Sequence, residues 1–430
     1  MFNKIVILGA GLTGLGAARH LPGSVVYEAK DHVGGHVYSH RQHGVYFDEG
    51  AHICHAKDEH WKRELFANAG EVVTVPQSRV ANWWHGRWVT YPVQNHLRDL
   101  PAAMRDQALA EILAAQAKPA DVPPVHYDAW CRSQYGDFLT ENFYREYTEK
   151  YWRTAMVEMD TDWLSGRLLP SQIERIRKGA YQPVDEKQSV FSAFHYPARG
   201  GFFAFFEKFY RSVEVATGFK VESLRLKERT ILFSNGKTIG FDKLISTMPL
   251  NCLIGAMGNE VPDAIRTDAA TLRHTQMLGV NIVVNKPDLA PYHWFYIYDP
   301  EIDVSRVKVL SNLIPGSLPP ETTVLQTEIF RRDDEVMDHE KLKRKAVMDL
   351  GRMLGFDPDR DVRSVDHIEV SHAYTIPTLG RQAAVDRIAE WLETKGIITA
   401  GLYGKWKYVW SDQAYAAGKE AAEKVNYGMR

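Results

Sequence analysis

Three glycines near the start of the chain have the spacing that suits a bound dinucleotide. Gly9, Gly11 and Gly14 stand in GAGLTG, after the apolar run Lys4–Leu8 and before a helical stretch at 15–21. Gly9 permits a tight turn, and Gly11 lets backbone N–H groups approach a diphosphate at the helix N-terminus. Gly14 lets the helix pack closely on the strand. A lone GxGxxG pattern is weak, but strand, turn and helix in this order predict a dinucleotide-binding βαβ unit.

The residues after the second strand of this unit indicate which dinucleotide is bound. The apolar run Val25–Tyr27 ends at Glu28, whose carboxylate can accept hydrogen bonds from ribose hydroxyls. Gly34 and Gly35 follow after a short spacer. Acid, spacer and paired glycines resemble the fingerprint of FAD enzymes of the glutathione-reductase and amine-oxidase type, in which the pair folds tightly over the ADP half of the cofactor. An ordinary turn with two glycines is the plainer alternative. The pattern predicts FAD rather than NAD.

Length, charge and cysteine content exclude several classes of protein. The chain has 430 residues and a net charge of -2, which argues for two or three subdomains and against nucleic acid as a partner. Cys54, Cys131 and Cys252 are scattered, so neither a disulfide framework nor a metal site is expected. The first strand begins almost at Met1, and no apolar run approaches the ~20 residues of a membrane span. We therefore expect a cytoplasmic enzyme without a membrane span.

The periodicity of the remaining chain predicts a hairpin, a helical insertion and a sheet. The hairpin contains Trp83, Trp84 and Trp88 around a His85-Gly86 turn, and helical spacing follows over 97–118 and 127–178. Later segments predict, in order, a helix at Phe202–Ala216, a strand at Lys243–Leu250, alternating strands over 265–370 with a helix near Glu340–Leu354, a last strand at Gly396–Gly401 and a helix at Asp412–Tyr427.

These elements predict an α/β protein with three units. A Rossmann-like FAD-binding domain is expected to be discontinuous, over 1–75, 191–262 and 375–430. Residues 76–190 would form a hairpin plus a helical substrate subdomain. Residues 263–374 would form an antiparallel-sheet substrate subdomain.

Four segments together resemble the flavin-dependent UDP-galactopyranose mutases and their relatives in bacterial sugar-nucleotide clusters. The segments are GAHICH at Gly50–His55, YTEKYW at Tyr147–Trp152, YPARGG at Tyr196–Gly201 and YVWSDQ at Tyr408–Gln413. GAHI and YTEKxW in one chain are specific for this family, whereas either segment alone is not. The resemblance extends over most of the chain.

The resemblance implies a reaction without net oxidation or reduction. In these mutases the N5 of reduced flavin attacks the anomeric carbon of a nucleotide sugar, the diphosphate leaves, and the sugar recloses with the other ring size. The implied cofactor is FAD in its reduced form, supplied with electrons by an external reductant such as NAD(P)H. The implied partner is a nucleotide-diphosphate sugar, and a homo-oligomer is left open.

The resemblance also assigns roles to individual residues. The implied catalytic residues are His52 beside the flavin, and Arg167 and Arg306 on the leaving diphosphate, where each guanidinium can bind two oxygens. The implied substrate-binding residues are Tyr147, Trp152, Tyr181, Tyr374 and Asn95. The implied cofactor-binding residues, beside the glycines and Glu28, are Val221, Gly401 and Asp412. In the plainer alternatives, His52 is an ordinary loop histidine, the aromatic residues belong to the hydrophobic core, and the two arginines are solvated surface cations.

Several positions depart from the family pattern. Leu402 stands where the mutases carry an arginine beside the flavin, and a phosphate-binding tyrosine is replaced near Ile329 or Phe330. Trp83-Trp84 and Trp294-Phe295-Tyr296 have no obvious counterpart, which indicates a remodelled sugar or base pocket. The alternative function is therefore an FAD-dependent oxidoreductase or amine oxidase of the same fold, acting in glycan or natural-product assembly. A non-enzymatic flavin-binding protein is the third hypothesis.

Overall fold

A computed structural model describes residues 4–55, 58–118, 123–164, 172–184 and 193–427. The strands in these ranges are β1 Ile5–Leu8, β2 Val25–Tyr27, β3 Ser39–Gln42, β4 Val45–Asp48, β5 Val72–Val75, β6 Val80–Trp84, β7 Arg87–Thr90, β8 Phe194–Pro197, β9 Glu214–Ala216, β10 Val221–Arg225, β11 Thr230–Phe233, β12 Thr238–Gly240, β13 Lys243–Ser246, β14 His274–Val284, β15 Trp294–Ile297, β16 Arg306–Val309, β17 Thr323–Arg332, β18 Val362–Thr375 and β19 Ile397–Thr399.

The α-helices in the same ranges are α1 Leu12–Arg19, α2 Glu59–Ala69, α3 Ala102–Gln116, α4 Tyr127–Leu139, α5 Glu146–Trp152, α6 Ile173–Gly179, α7 Leu250–Ala256, α8 Asp263–Ala270, α9 Leu310–Leu313, α10 His339–Leu354, α11 Pro358–Asp361, α12 Arg381–Thr394, α13 Gly401–Gly404 and α14 Ser411–Tyr427. None of the described helices is long and apolar enough to cross a membrane.

A five-stranded parallel sheet forms the centre of the dinucleotide-binding domain. Its strand order is β19-β13-β1-β2-β9, so segments from both ends and the middle of the chain meet in one sheet. Its strands are apolar on both faces, as expected for a parallel sheet covered by helices. The α/β fold with a Rossmann-like domain is confirmed.

The turn between β1 and α1 depends on glycine at two positions. Gly9 has φ +97°, a backbone conformation that side chains with a Cβ rarely adopt. A Cβ added at Gly14 would lie 1.9 Å from the carbonyl oxygen of Gly9. Glycine at these two positions therefore lets the first turn of α1 sit directly against the end of β1.

A seven-stranded sheet forms the second layer, with the order β18-β14-β17-β16-β15-β6-β7. The hairpin β6–β7 has the expected turn at His85 and Gly86, both with positive φ. It belongs to this sheet, because β6 pairs in parallel with β15, Ala81 opposite Phe295. The sequence-based division joined the hairpin to the helices; its pairing with β15 was not visible in the sequence, because strands so far apart along the chain leave no local signal.

The helical insertion is more interrupted than its periodicity indicated. Gly136, with φ +75°, kinks α4, and residues 140–145 form a π-helical turn before α5. Arg153 ends α5 in a left-handed conformation. The predicted helix over 202–216 is instead two 3₁₀ turns followed by β9, because residues 214–216 pair with β2 and form the edge of the five-stranded sheet.

We expect Gly14→Ala to destabilise the protein and to remove its bound flavin. The added Cβ would overlap the carbonyl of Gly9, and overpacking of this kind costs about 1–3 kcal/mol. The measurements are the thermal midpoint and the flavin content of the purified protein. Gly255→Ala in α7 is the matched control, because its Cβ would meet nothing within 4 Å. Equal midpoints for Gly14→Ala and the wild type would contradict the packing argument.

Candidate active site

One elongated cavity of about 880 Å³ connects the two sheets. At one end it is bounded by the turn after β1 and by Glu28, Lys220 and Val221. At the other end, beside the seven-stranded sheet, it opens into what we name the aromatic chamber, which is lined by Tyr91, Tyr127, Phe143, Tyr144, Tyr147, Tyr151, Trp152, Trp163, Trp294, Tyr296, Tyr298, Tyr374 and Tyr408. The loop Gly50–Ile53 lies between the two ends.

The paired glycines pack directly against the nucleotide-binding turn. Gly34 and Gly35 have φ values of +111° and +54°, and Gly34 forms a β-bridge with Gly11. A Cβ added at Gly35 would lie 2.9 Å from the Cα of Gly11. Two glycines are therefore required here by conformation and by close approach, and the alternative of an ordinary turn does not explain both.

Glu28 is held at the end of β2 with its carboxylate buried. One oxygen accepts a hydrogen bond from the backbone N–H of Ala10 at 2.6 Å, and the other accepts from the N–H of Lys30 at 2.9 Å. Each carboxylate oxygen has a second lone pair. The carboxylate can therefore still accept hydrogen bonds from hydroxyl groups in the cavity.

A second buried carboxylate, Glu49, collects basic side chains around the same end of the cavity. It contacts Lys30 at 2.6 Å, His36 at 2.9 Å and His40 at 3.1 Å. Burial would raise the pKa of Glu49, but its hydrogen bonds to His36 and His40 hold that pKa far below the ordinary range. Ligand atoms of His32, His40 and Glu49 lie within 4.8 Å of one another, but both oxygens of Glu49 are already bonded. We interpret this group as an ion-pair cluster.

His52 lies in the middle of the cavity, on the loop between its two ends. The imidazole stacks on Phe202 with ring centroids 5.1 Å apart, and its Nδ1 is buried without a hydrogen-bond partner among the described residues. Burial, with the charges of Lys308 and His36, lowers the pKa of His52 to about 4, while Asp48 and Glu328 act in the opposite direction. The ring is therefore neutral near pH 7.

Arg306 is the cation of the aromatic chamber. Its Nε and Nη2 donate to the carboxylate of Glu328 at 2.8 and 2.7 Å, and the side chain is 16% exposed. Burial would lower the pKa of Arg306, but Glu328 raises it, so the guanidinium stays charged. Glu328 also accepts the N–H of Ala51 at 2.7 Å. Arg306 lines the cavity and Glu328 does not, so the positive end of the pair faces the chamber.

The tyrosines of the chamber pack against one another around Arg306. The ring of Tyr147 lies 5.4 Å from Tyr151 and 5.3 Å from Tyr296, and Tyr151 lies 5.2 Å from Tyr374. Burial raises the pKa values of Tyr147 and Tyr151 well above the ordinary value, so both hydroxyls remain protonated donors. The chamber thus offers flat apolar walls with hydroxyl groups beside a cation.

Most of the residues that the sequence suggested for the site do line the cavity. They are Gly9, Gly11, Glu28, Gly34, Gly35, His52, Tyr147, Trp152, Val221, Arg306, Tyr374 and Asp412. Leu402, Trp294 and Tyr296 line it as well, whereas Trp83 and Trp84 do not. Arg167 lies outside the described residues.

Four suggested residues do not line the cavity. Gly14 and Gly401 act through packing, since a Cβ at Gly401 would lie 2.3 Å from the hydroxyl of Thr13. Tyr181 is 59% exposed and packs on Arg105, so the structure does not bring it to the chamber. Asn95 instead packs against α6, where its carbonyl would lie 1.9 Å from a Cβ at Gly179.

Tyr151 and Lys308 are among the residues of the cavity wall that sequence reasoning missed. Tyr151 stands inside the YTEKYW segment, beside the residues that were assigned a role. Lys308 follows Arg306 by two positions on β16, and alternate residues of a strand face the same side. That alternation was the available signal for Lys308.

Comparison with known proteins agrees with this geometry. The family model described as flavin containing amine oxidoreductase matches residues 12–426. The chain belongs to this family. It is similar to a reduced UDP-galactopyranose mutase, with 25% identity and a TM-score of 0.89 over 100% of this chain and 95% of the other.

Two more distant solved structures share the fold of this chain. A putative protoporphyrinogen oxidase from Exiguobacterium sp. 255-15 has 17% identity and a TM-score of 0.77, covering 100% of this chain and 99% of the other. A putrescine oxidase bound to putrescine has 17% identity and a TM-score of 0.61, covering 99% of each chain.

The cofactor of this flavin-dependent enzyme is FAD, and the described residues fit it. Gly11 and Gly34 leave the N-terminus of α1 clear of side chains, which a dinucleotide diphosphate requires. Glu28 offers its carboxylate at the end of β2. His52 also lines this cavity, and its Nδ1 is buried without a hydrogen-bond partner among the described residues.

We expect His52 to stay neutral down to about pH 5, since its pKa is lowered to about 4. An unfolded chain binds a proton at histidine near pH 6.5. Between these values the unfolded state binds more protons, so His52 makes stability fall as the pH drops from ~6.5 toward 4. The measurement is an NMR titration of the histidine resonances, with His52→Gln assigning the signal. A titration midpoint of His52 near pH 6.5 would contradict the conclusion that its imidazole is enclosed.

Proposed function

We propose that this enzyme is a flavin-dependent mutase that interconverts the pyranose and furanose forms of a nucleotide-diphosphate sugar. The observation that carries the proposal is the charged Arg306 on the wall of an aromatic chamber that is continuous with the FAD cavity. The similarity to the reduced UDP-galactopyranose mutase supports the substrate class.

The charge of the chamber favours an anionic substrate over an amine. An alkylamine is protonated near neutral pH, and the guanidinium of Arg306 would repel it. A phosphate oxygen would instead find the Nη1 edge of Arg306, which Glu328 does not bind, and the protonated hydroxyls of Tyr147 and Tyr151. Arg167, as the sequence implies, would supply a second cation to the diphosphate.

Each group of the chain would then have a distinct task. Reduced FAD supplies an electron pair at N5 for attack on an anomeric carbon. The aromatic walls would seat the planar base and the sugar and would exclude water. Arg306 and the tyrosine hydroxyls would hold the diphosphate close to the sugar while the two are separated. Neutral His52 would accept or donate a hydrogen bond at Nδ1.

The second candidate is an FAD-dependent oxidoreductase of the same family. Two observations favour it. Leu402 lines the cavity at the position where the mutases carry an arginine. The positive charge of Arg306 is already balanced by its ion pair with Glu328. Such an enzyme would oxidise its substrate with the oxidised cofactor and would need an electron acceptor in every turnover. The redox state in which the enzyme works therefore separates the two functions.

We expect isomerisation of a sugar nucleotide only when the flavin is reduced, because only reduced N5 has the required electron pair. One reduction should support many turnovers without stoichiometric consumption of NAD(P)H or oxygen. The experiment incubates dithionite-reduced enzyme anaerobically with UDP-, dTDP- and GDP-hexoses and separates pyranose from furanose products by chromatography. His52→Ala should lower turnover far more than binding. Reduction of the oxidised flavin by an amine or alcohol, with no isomerisation, would establish the oxidoreductase instead.

We expect Arg306→Ala to weaken nucleotide-sugar binding by about 1.5–3 kcal/mol, as for a charge-assisted hydrogen bond, with FAD content unchanged. The dissociation constant of the nucleotide sugar is measured by calorimetric titration of the reduced enzyme. The double variant Arg306→Met/Glu328→Gln should show the same loss without a buried unpaired carboxylate. Arg331→Ala is the control, because Arg331 is equally exposed at 16% and pairs with Asp303 away from the cavity. Equal affinity of the wild type and the Arg306 variants would refute the role.

A further inference from the structure

Lys308 is a buried cation in the wall of the FAD cavity. It faces the same side of β16 as Arg306, and its side chain is 1% exposed. Its Nζ donates to Oδ2 of Asp48 at 2.7 Å, and the Asp48 side chain is fully buried. Since two buried charges lose their hydration, such a pair is weak evidence for a stabilising role. The local contacts of the pair indicate another purpose.

Asp48 connects four different segments through its carboxylate. Besides Lys308, it accepts hydrogen bonds from the hydroxyls of Tyr196 and Ser39, both at 2.7 Å, and from the N–H of Phe202 at 3.0 Å. Burial alone would raise the pKa of Asp48, but Lys308 and the other donors hold it below its ordinary value. Asp48 therefore remains a carboxylate with all of its principal acceptor positions used.

Both partners of the ion pair help to fix His52, Lys308 through a direct hydrogen bond and Asp48 through Phe202. Lys308 Nζ donates to the backbone carbonyl of His52 at 3.2 Å, which fixes the loop. Asp48 fixes the backbone of Phe202, whose ring stacks on the imidazole at an interplanar angle of 18°. One contact thus holds the main chain of His52 and the other holds the surface on which its ring rests.

We propose that Asp48 and Lys308 are positioning residues that hold His52 in the wall of the FAD cavity, with its main chain fixed by Lys308 and its ring held against Phe202. The inference rests on FAD as the cofactor and on these contacts, and it is the same for a mutase and for an oxidoreductase. Four charged or titratable groups act on the imidazole, namely Asp48, Lys308, His36 and Glu328. The positive charge of Lys308 favours the neutral ring, and Asp48 opposes it.

The test uses the FAD-loaded enzyme and follows His52 by NMR titration, with the signal assigned by His52→Gln. Lys308→Met removes the cation and the donor to the His52 carbonyl. The double variant Asp48→Asn/Lys308→Met removes the same donor without leaving a buried unpaired charge, and so keeps the test informative if the single variant does not fold. Lys286→Met is the control, because exposed Lys286 bonds only to the carbonyl of Gly355 at the far end of the same sheet. FAD content and thermal midpoints are recorded for every variant.

We expect the pKa of His52 to rise by ~1 unit or more in Lys308→Met, as for loss of a nearby like charge. In the double variant the two charge effects oppose one another, so the expected change is in the chemical shift of the His52 ring protons, because the ring is no longer held against the face of Phe202. Lys286→Met should leave the midpoint and the chemical shift unchanged. A His52 signal of wild-type midpoint and chemical shift in the folded double variant, or in folded Lys308→Met, would overturn the proposal. Because no substrate is involved, that result would leave the proposed function standing, and failure of the mutase assay would leave this inference standing.

Discussion

The close backbone contact between β1 and α1 is the constraint on which the cofactor end of the molecule depends. A side chain at Gly14 would overlap the carbonyl of Gly9, so only glycine lets the helix start directly at the end of the strand. That placement points the free N–H groups of the first turn at the cavity. Gly35 repeats the requirement from the opposite side, where it touches the backbone of Gly11. Three backbone segments thus meet without side chains between them, which leaves room for a dinucleotide.

A second feature of the site is that its buried carboxylates are paired with basic side chains. Asp48, Glu49 and Glu328 are all buried carboxylates, and each bonds basic side chains that line the cavity. In two of these pairs the cation, Arg306 or Lys308, comes from β16. In those two pairs the cation lines the cavity and the carboxylate does not, whereas Glu49 lines the cavity together with its basic partners Lys30 and His36. An anionic cofactor or substrate therefore meets cations whose burial is already offset by a partner.

The sequence was informative where function is tied to a local pattern. The strand–glycine–helix order identified the nucleotide end, and the GAHI and YTEKxW segments identified His52, Tyr147 and Trp152 in the cavity wall. It failed where position depends on distant pairing. Tyr181 was placed by resemblance across small gaps, and the fold turns it outward onto Arg105. The hairpin, correctly predicted as an element, joined an unexpected sheet because its partner strand lies far along the chain.

The sheet order also limits when the molecule can fold during its synthesis. The first strand lies between β2 and β13, and Lys4 is bonded to Asp242, 238 residues later. The edge strand β19 ends at Thr399, so nearly the whole chain must leave the ribosome before this sheet is complete. Loop closure over such separations is slow, so the strands near the start of the chain keep unpaired edges until their partners have been synthesised. The same long-range pairing that builds the cavity from distant segments therefore prolongs the time in which the newly synthesised chain exposes unpaired strand edges.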